Sequence, residues 1–347
     1  MRKTGELSER KAAILRDLVH LYIRTGEPVG SEALAAFSRL GVSSATIRNE
    51  LGALEEMGYL TQPHTSAGRT PTDHGYRYFV NMLPARSRLR DPERLAIVHF
   101  FDEALADVDE ILKGTTHLLS SLTRYASLAL APSLRESAIA RAELIGVGSG
   151  TLLLVVFEDG RVEKRLLDVP KDTPDEDVDR MSGVLLETFT GQAVDAAREG
   201  ATKRAADAPE PERSILTTVA DALGSIDQSH RAEHVYLGGV ANIATEESFH
   251  RRETLAKMLE ALERESEILR LLREAATSSS VSVTIGNENP MTGIWEASVV
   301  AAQYEAGGHS VGTIGVMGPL RMDYGAAISA VRAVAERLSA AVAALGG

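Results

Sequence analysis

The sequence predicts a multidomain α+β protein that opens with a winged helix-turn-helix and continues as an α+β unit split by an inserted domain. Three observations carry this expectation. From Val42 to Leu83 a short polar-faced helix, a strand, a loop with a basic tip and a second helix follow in immediate succession. Further on, two stretches of antiparallel-strand pattern flank a long, charged helical stretch. With 347 residues and 44% hydrophobic content, the chain is long enough to bury more than one core.

The first helix is capped by Ser8, carries Ile14, Leu15, Leu18, Val19 and Tyr22 on one side, and ends in the turn residues Thr25-Gly26-Glu27-Pro28. A second helix is expected from a Ser31 cap to Gly41, with Ala33, Leu34, Phe37 and Leu40 as its apolar positions. Only Val42 separates it from Ser43, which caps a third helix, so the connection is the tight turn of a helix-turn-helix. Ile47, Leu51 and Leu54 form the core-facing stripe of that third helix. Its opposite face carries Ala45, Asn49, Gly52 and Ala53, flanked by Thr46 and Arg48. Small residues let a helix backbone approach a DNA groove, Arg forks onto guanine and Asn pairs with adenine, so Arg48 and Asn49 are the candidates for base contact. Ser44, Ala45 and Thr46 complete the leading turn of the reading helix.

Tyr59 to Gln62 reads as a strand, Pro63 to Gly68 as a loop and Arg69-Thr70-Pro71 as the returning strand, which together make the wing. His64, Thr65, Ser66, Arg69 and Thr70 supply hydroxyls, an imidazole and a guanidinium suited to phosphate or minor-groove contact. Thr72 or Asp73 then caps a helix whose Tyr76, Phe79, Val80 and Leu83 leave the domain, with Tyr76 and Phe79 spaced for core packing.

Pro84 to Pro92, with Arg86, Arg88 and Arg90, reads as a basic linker and a hinge for the head. Helical pattern follows from Glu93 to Leu130, then strands at Leu144 to Gly148, Leu152 to Phe157 and Val162 to Val169, joined by turns at Ser149-Gly150 and Asp159-Gly160. Gly146, Gly148 and Gly150 do not make a nucleotide loop, because no helix follows them. Lys171 to Ala276 is helical, apart from an Ala/Pro/Glu stretch at Ala205 to Glu212 and a strand at Val235 to Leu237. Strands resume at Val281 to Ile285, Ile294 to Tyr304 and Val311 to Val316, with a turn at Gly307-Gly308, before a closing helix from Asp323 to Leu345. The expected partition is therefore 1–84 for the winged helix, 93–170 and 277–347 for the split α+β domain, and 171–276 for the insertion. Within the insertion Leu255, Leu259, Leu262, Ile268, Leu269 and Leu272 mark a long amphipathic helix that faces either a second subunit or its own domain.

Composition excludes several function classes. Cysteine is absent, which removes disulfides, thiol catalysis and cysteine-bound zinc. No apolar run reaches the length of a membrane span and no signal segment opens the chain, so a cytoplasmic protein without a membrane partner is expected. His230 and His234 share a helical spacing but have no third ligand nearby in sequence, and no nucleophile or paired-carboxylate pattern appears, so neither a metal, a cofactor nor an enzymatic activity is expected. The acids of Asp172 to Asp179 and Glu260 to Glu274 read as solvated faces. The net charge of −12 is unevenly placed: residues 1–83 hold ten Lys/Arg against nine Asp/Glu, and the remainder 27 against 40. An acidic body turns the near-neutral head towards phosphate and discourages non-specific adhesion. Because the head is barely basic, specific contacts and two-headed binding must supply much of the affinity.

The stretch SSATIRNELGALEEMGYLTQPHTSAGRTPTDHGYRYFV resembles the signature of the heat-inducible transcription repressor family, HrcA, and GPLRMDY at Gly318 to Tyr324 matches a second family segment. HTSAGRTPTDHGYRYF is the long and distinctive part; Thr70 and His74 depart from the aliphatic residue and lysine expected there. The resemblance covers nearly the whole chain. It implies a winged helix, a GAF-like domain and an inserted dimerisation domain. It also implies a homodimeric repressor that binds an inverted-repeat operator upstream of chaperonin and chaperone operons, is kept active by the chaperonin and is released on heat stress. The residues themselves leave open a second reading, in which the split domain senses a small metabolite.

Overall fold

The computed structural model describes residues 7–345 except 65–66, 85–88, 103–107, 132–137, 148–149, 159, 171–172, 232–234, 246–251, 276–280, 290–295 and 307–308. Three helices, α1 (Glu9–Thr25), α2 (Ser31–Phe37) and α3 (Ser44–Glu56), precede a two-stranded wing, β1 (Leu60–Thr61) and β2 (Thr70–Pro71), and the helix α4 (Asp73–Met82). Ser8 and Ser43 cap α1 and α3 through their side chains, and Thr72, not Asp73, caps α4. Gly30 precedes α2, so Ser31 lies inside the helix, and the helix stops at Phe37, earlier than the expected Gly41. Ser38 leaves the helix because its hydroxyl bonds the Asp17 carboxylate of α1 at 2.7 Å, a tertiary contact that ends the local period. Ile14, Leu15, Leu18, Leu34, Ile47 and Leu54 fill the space between the three helices, with Tyr76 and Phe79 of α4 closing it.

Beyond the head come α5 (Asp91–Asp102), α6 (Val108–Thr123), β3 (Ala126–Leu130), β4 (Ile139–Val147), β5 (Gly150–Phe157), β6 (Val162–Leu167), α7 (Asp175–Phe189), α8 (Val194–Asp207) and α9 (Glu212–Arg231). They are followed by β7 (Val235–Gly238), α10 (Val240–Thr245), α11 (Arg252–Glu263), α12 (Glu265–Ala275), β8 (Ser282–Ile285), a 3-10 turn (Gly286–Glu288), β9 (Ala297–Ala306), β10 (His309–Pro319) and α13 (Tyr324–Leu345). One sheet has the order β7-β3-β10-β9-β8 and is antiparallel throughout. Val300, Ala302 and Tyr304 of β9 face α6 and α13, whereas Ala297, Val299 and Ala301 face α10–α12, the period-2 alternation of a sheet covered on both sides.

This arrangement corrects the expected partition. The strands β4–β6 form a separate sheet whose inner face packs Leu153, Val155 and Phe157 against Met181, Leu185, Leu216 and Leu223 of α7 and α9. The inserted unit therefore runs from about β4 to α9, and residues 139–167 belong to it rather than to the split domain. Conversely, Val235 to Leu237 lies in β7, an edge strand of the five-stranded sheet, and α11 and α12 cover that sheet's second face. The expected long amphipathic helix is broken at Arg264, and its apolar positions Leu262, Ile268 and Leu272 face their own domain. Ala126 to Leu130, expected as helix, is β3; buried on both faces, it carries no readable alternation. Residues 85–88 of the expected hinge lie outside the described residues, but the head itself is docked. The winged helix and the five-stranded domain share one continuous hydrophobic core, in which the rings of Tyr76 and Tyr324 lie 5.8 Å apart.

Candidate nucleic-acid interface

The reading helix starts cleanly. The Ser43 hydroxyl accepts from the Thr46 backbone N–H at 3.2 Å and lies 3.0 Å from the Thr46 hydroxyl, so Thr46 is engaged in the cap. The first turn of α3 holds no acid, which leaves the positive end of the helix dipole open to a phosphate. Ala45, Arg48 and Asn49 are exposed on one face, while Ile47, Leu51 and Leu54 are buried on the other. Ser44 and Thr46 are half-buried. The structure thus brings Ala45, Arg48 and Asn49 together on the outward side of the helix.

Of the three acids on α3, Glu56 is exposed at its C-terminal end, and the other two, which would repel DNA if left alone, are paired. Glu50 meets Lys11 of α1 at 2.8 Å, with Arg10 at 3.9 Å, and Glu55 meets Arg69 of the wing at 2.8 Å. Sequence reasoning missed these partners, because ion pairs between separate elements leave no local periodic signal. The Arg69 pair is Coulombic: its Nε is buried and its N–H finds no directed hydrogen bond. Arg69 is therefore turned towards the reading helix. Its backbone is fixed too, since Val29 N–H donates to the Arg69 carbonyl and Arg69 N–H to the Val29 carbonyl, both at 2.9 Å. Gly68 is required at this staple, where an added Cβ would sit 2.4 Å from the Val29 carbonyl carbon.

Within the wing, Gln62 Nε2 donates to the Ala67 carbonyl at 2.8 Å and Ala67 N–H to the His64 carbonyl at 2.9 Å, which holds the exposed His64 at the tip. Thr65 and Ser66 lie outside the described residues. Thr70 departs from its expected role: it is buried, and its hydroxyl faces the Thr61 carbonyl across the hairpin at 3.5 Å. It closes the wing rather than presenting a hydroxyl to DNA. Two further groups are exposed, of which sequence reasoning missed Arg39. Arg39 lies in the turn leading into α3, and His74 stacks on Tyr59 at the base of the wing with ring centres 4.3 Å apart. Among the described residues, no three His, Asp or Glu side chains form a metal-binding group, and no helix is long and apolar enough to cross a membrane.

A capped reading helix with one small, polar face, a stapled wing and a GAF-like α+β body define a DNA-binding protein of the winged-helix class. Residues 6–82 match the winged helix-turn-helix transcription repressor, HrcA DNA-binding, family, and residues 109–328 match the HrcA protein C terminal domain. The chain belongs to the HrcA family of heat-inducible transcription repressors. It is 42% identical to the heat-inducible transcription repressor HrcA of Thermobifida fusca, with 95% of each chain covered. Against that of Parafrankia sp. it is 41% identical, covering 95% of this chain and 97% of the relative. A crystal structure described as a hypothetical protein matches 98% of this chain and 100% of its own at a TM-score of 0.71 and 24% identity, a likeness of fold. Membership places the chain among repressors rather than enzymes.

Proposed function

We propose that the chain is a dimeric, cytoplasmic repressor that reads an inverted-repeat operator upstream of chaperonin and chaperone operons. The chaperonin maintains its DNA-competent form and heat releases it. The observation that carries the DNA-reading part is the exposed Ala45, Arg48 and Asn49 face of α3 beside the His64 wing tip. A two-fold dimer matches an inverted repeat because each head meets an equivalent half-site. The outer face of the β4–β6 sheet supports the dimer: exposed Ile145 and Leu166 flank half-buried Leu152 in one cross-strand row, with Val147 and Val162 exposed on the same face. A sheet face this apolar calls for a cover, and a second copy supplies the same face in return.

The chaperonin element is what the family resemblance implies, and mass action gives it a physical form: a partner that favours the folded, DNA-competent form sets its population. The metabolite-sensor reading has less support. On the α10–α12 side of the five-stranded sheet, Met258, Leu262, Ile268 and Leu272 pack against Leu128, Val299 and Met317, which fills the space a ligand would need. The test is binding of the purified chain to the inverted repeat and to a scrambled duplex at fixed salt, before and after heating, with and without chaperonin. Preferential binding that chaperonin restores is the expected result. Equal affinity for both duplexes, or indifference to chaperonin, would overturn the corresponding part.

A further inference from the structure

The start of α4 meets the body at the 3-10 turn after β8. The Asp73 carboxylate accepts from the Asn287 backbone N–H at 3.0 Å and from its side-chain amide at 2.9 Å. One turn on, Arg77 Nε donates to Glu288 at 2.8 Å, and its Nη2 bonds both the second Glu288 oxygen and the Val283 carbonyl. Glu288 also accepts from the Ile285 N–H at 3.0 Å, so the carboxylate that holds Arg77 is itself held by its own turn. Gly286 has φ +52°, and a Cβ there would meet the Asp73 carboxylate at 2.4 Å, so the approach is as close as backbone permits. Beneath this polar latch, Tyr76 packs on Tyr324, whose hydroxyl is held by Ser298 and by the Leu320 carbonyl, both at 2.7 Å. Charge-assisted bonds with bidentate geometry over a packed aromatic pair fix direction as well as distance.

We infer that the Asp73/Arg77 latch on Asn287 and Glu288 sets the operator spacing the protein accepts, by holding each reading helix at a fixed angle to the body. These are positioning residues: they act through the placement of α3 and touch no base. The inference rests on the dimeric-repressor reading and adds a geometric rule to it. If the dimer forms through the inserted unit and that unit keeps a fixed orientation on the five-stranded domain, the latch that fixes each head makes the distance and phase between the two reading helices constants of the protein. Inserting two base pairs between half-sites turns one relative to the other by about 70° and moves it about 7 Å. Heads held rigidly cannot engage both sites, so the avidity of two-headed binding, on the order of 10²-fold, is lost. Heads released onto their linkers reach both sites and lose on the order of tenfold or less.

The experiment uses the full chain and a body-side variant, Asn287→Ala with Glu288→Gln, so that no residue of the DNA-facing head changes. The inverted repeat is first selected by the wild-type chain from a random duplex pool, and affinities are then measured with the spacer altered by up to two base pairs. A single half-site duplex reports whether the head remains intact. For the distance measurement alone, on chains not used for affinities, the absence of cysteine lets Glu56→Cys and Arg337→Cys place one spin label on the exposed end of α3 and one on α13. Dilution with unlabelled chain leaves the head-to-body distance within a protomer. Wild type should show a narrow distance distribution and a steep spacer profile. The variant, which keeps the Tyr76–Tyr324 packing and the Arg77 bond to the Val283 carbonyl, should show a broader distribution and a shallower profile than wild type, with unchanged half-site affinity. A flat wild-type profile, a broad wild-type distance, or a variant as steep as wild type would overturn the inference. Failure to select any inverted repeat would defeat the dimeric-repressor reading and this operator rule with it, while the distance measurement would still report separately whether the latch holds the head.

Discussion

Replacing Gly68 with alanine should detach the wing from the reading unit. The added methyl would lie 2.4 Å from the Val29 carbonyl carbon and 2.6 Å from the carbonyl oxygens of Pro28 and Val29. These are backbone atoms that no rotamer change can move aside. Relief requires the two chain segments to part, which breaks the two 2.9 Å hydrogen bonds between Val29 and Arg69. At roughly 0.5 to 1.5 kcal/mol each, the loss is about 1 to 3 kcal/mol, to which the displaced Arg69–Glu55 pair adds about 1 kcal/mol or less. The direct assay is amide hydrogen exchange, in which Val29 and Arg69 should lose protection while Ile47 and Leu51 of α3 keep theirs. Urea unfolding followed by circular dichroism measures the stability change, and duplex titration should show weakened binding to every sequence, the outcome expected of a wing that meets phosphates rather than base edges. Gly183→Ala is the matched control: its Cβ would meet nothing within 4 Å on an exposed helical face, so it should stabilise by roughly 0.4 to 1 kcal/mol. Retained protection at Val29 and Arg69 in Gly68→Ala, with unchanged stability, would refute the reasoning.

Arg48→Ala or Asn49→Ala removes one of the two side chains proposed to read bases from each head; at about 1 to 3 kcal/mol per contact, the proposed dimer should lose about 2 to 6 kcal/mol on the operator and keep its affinity for scrambled DNA. Equal losses on both duplexes, measured by fluorescence anisotropy at fixed salt, would remove these residues from base reading. Leu166, 72% exposed on the open sheet face, is the position at which Leu166→Asp should yield monomers by analytical ultracentrifugation, with chain stability changed by about 0.5 kcal/mol or less. His20 lies edge-on to Phe79 with ring centres 4.8 Å apart, and burial holds its pKa below the ordinary 6.5, against the opposing pull of Asp17. The unfolded chain therefore takes up the His20 proton at higher pH than the fold does, and stability present above 6.5 falls as pH drops through and below that value. His20→Gln should narrow the difference in melting temperature between about pH 7.5 and about pH 5.5, where histidine titrates; an unchanged difference would assign the acid sensitivity elsewhere.

Much of the head was legible because its signals are local. Ser43, Ile47, Leu51 and Leu54 lie within about three helical turns, and cap chemistry and the 3.6-residue period act over that range. The same range limited what could be read of the candidate interface. Arg48 and Asn49 appear on the exposed face as their spacing requires, yet nothing in the sequence says that Arg69 turns to Glu55 or that Thr70 points into the hairpin. Both outcomes depend on where one strand of the wing lies against the other.

By itself the sequence determined the order of helices and strands in the head, the exposed face of α3, the family and the presence of two interrupted strand-rich stretches. Only the tertiary structure decided which strands share a sheet. Alternation tells a strand which face to bury but not which strand to pair with, so β4–β6 close on one another while β7 crosses to join β3. Tertiary structure also decided that the head is docked rather than hinged. Arg77 and Glu288 stand 211 positions apart, and a contact across that distance leaves no periodicity or composition for a reader of the sequence to find.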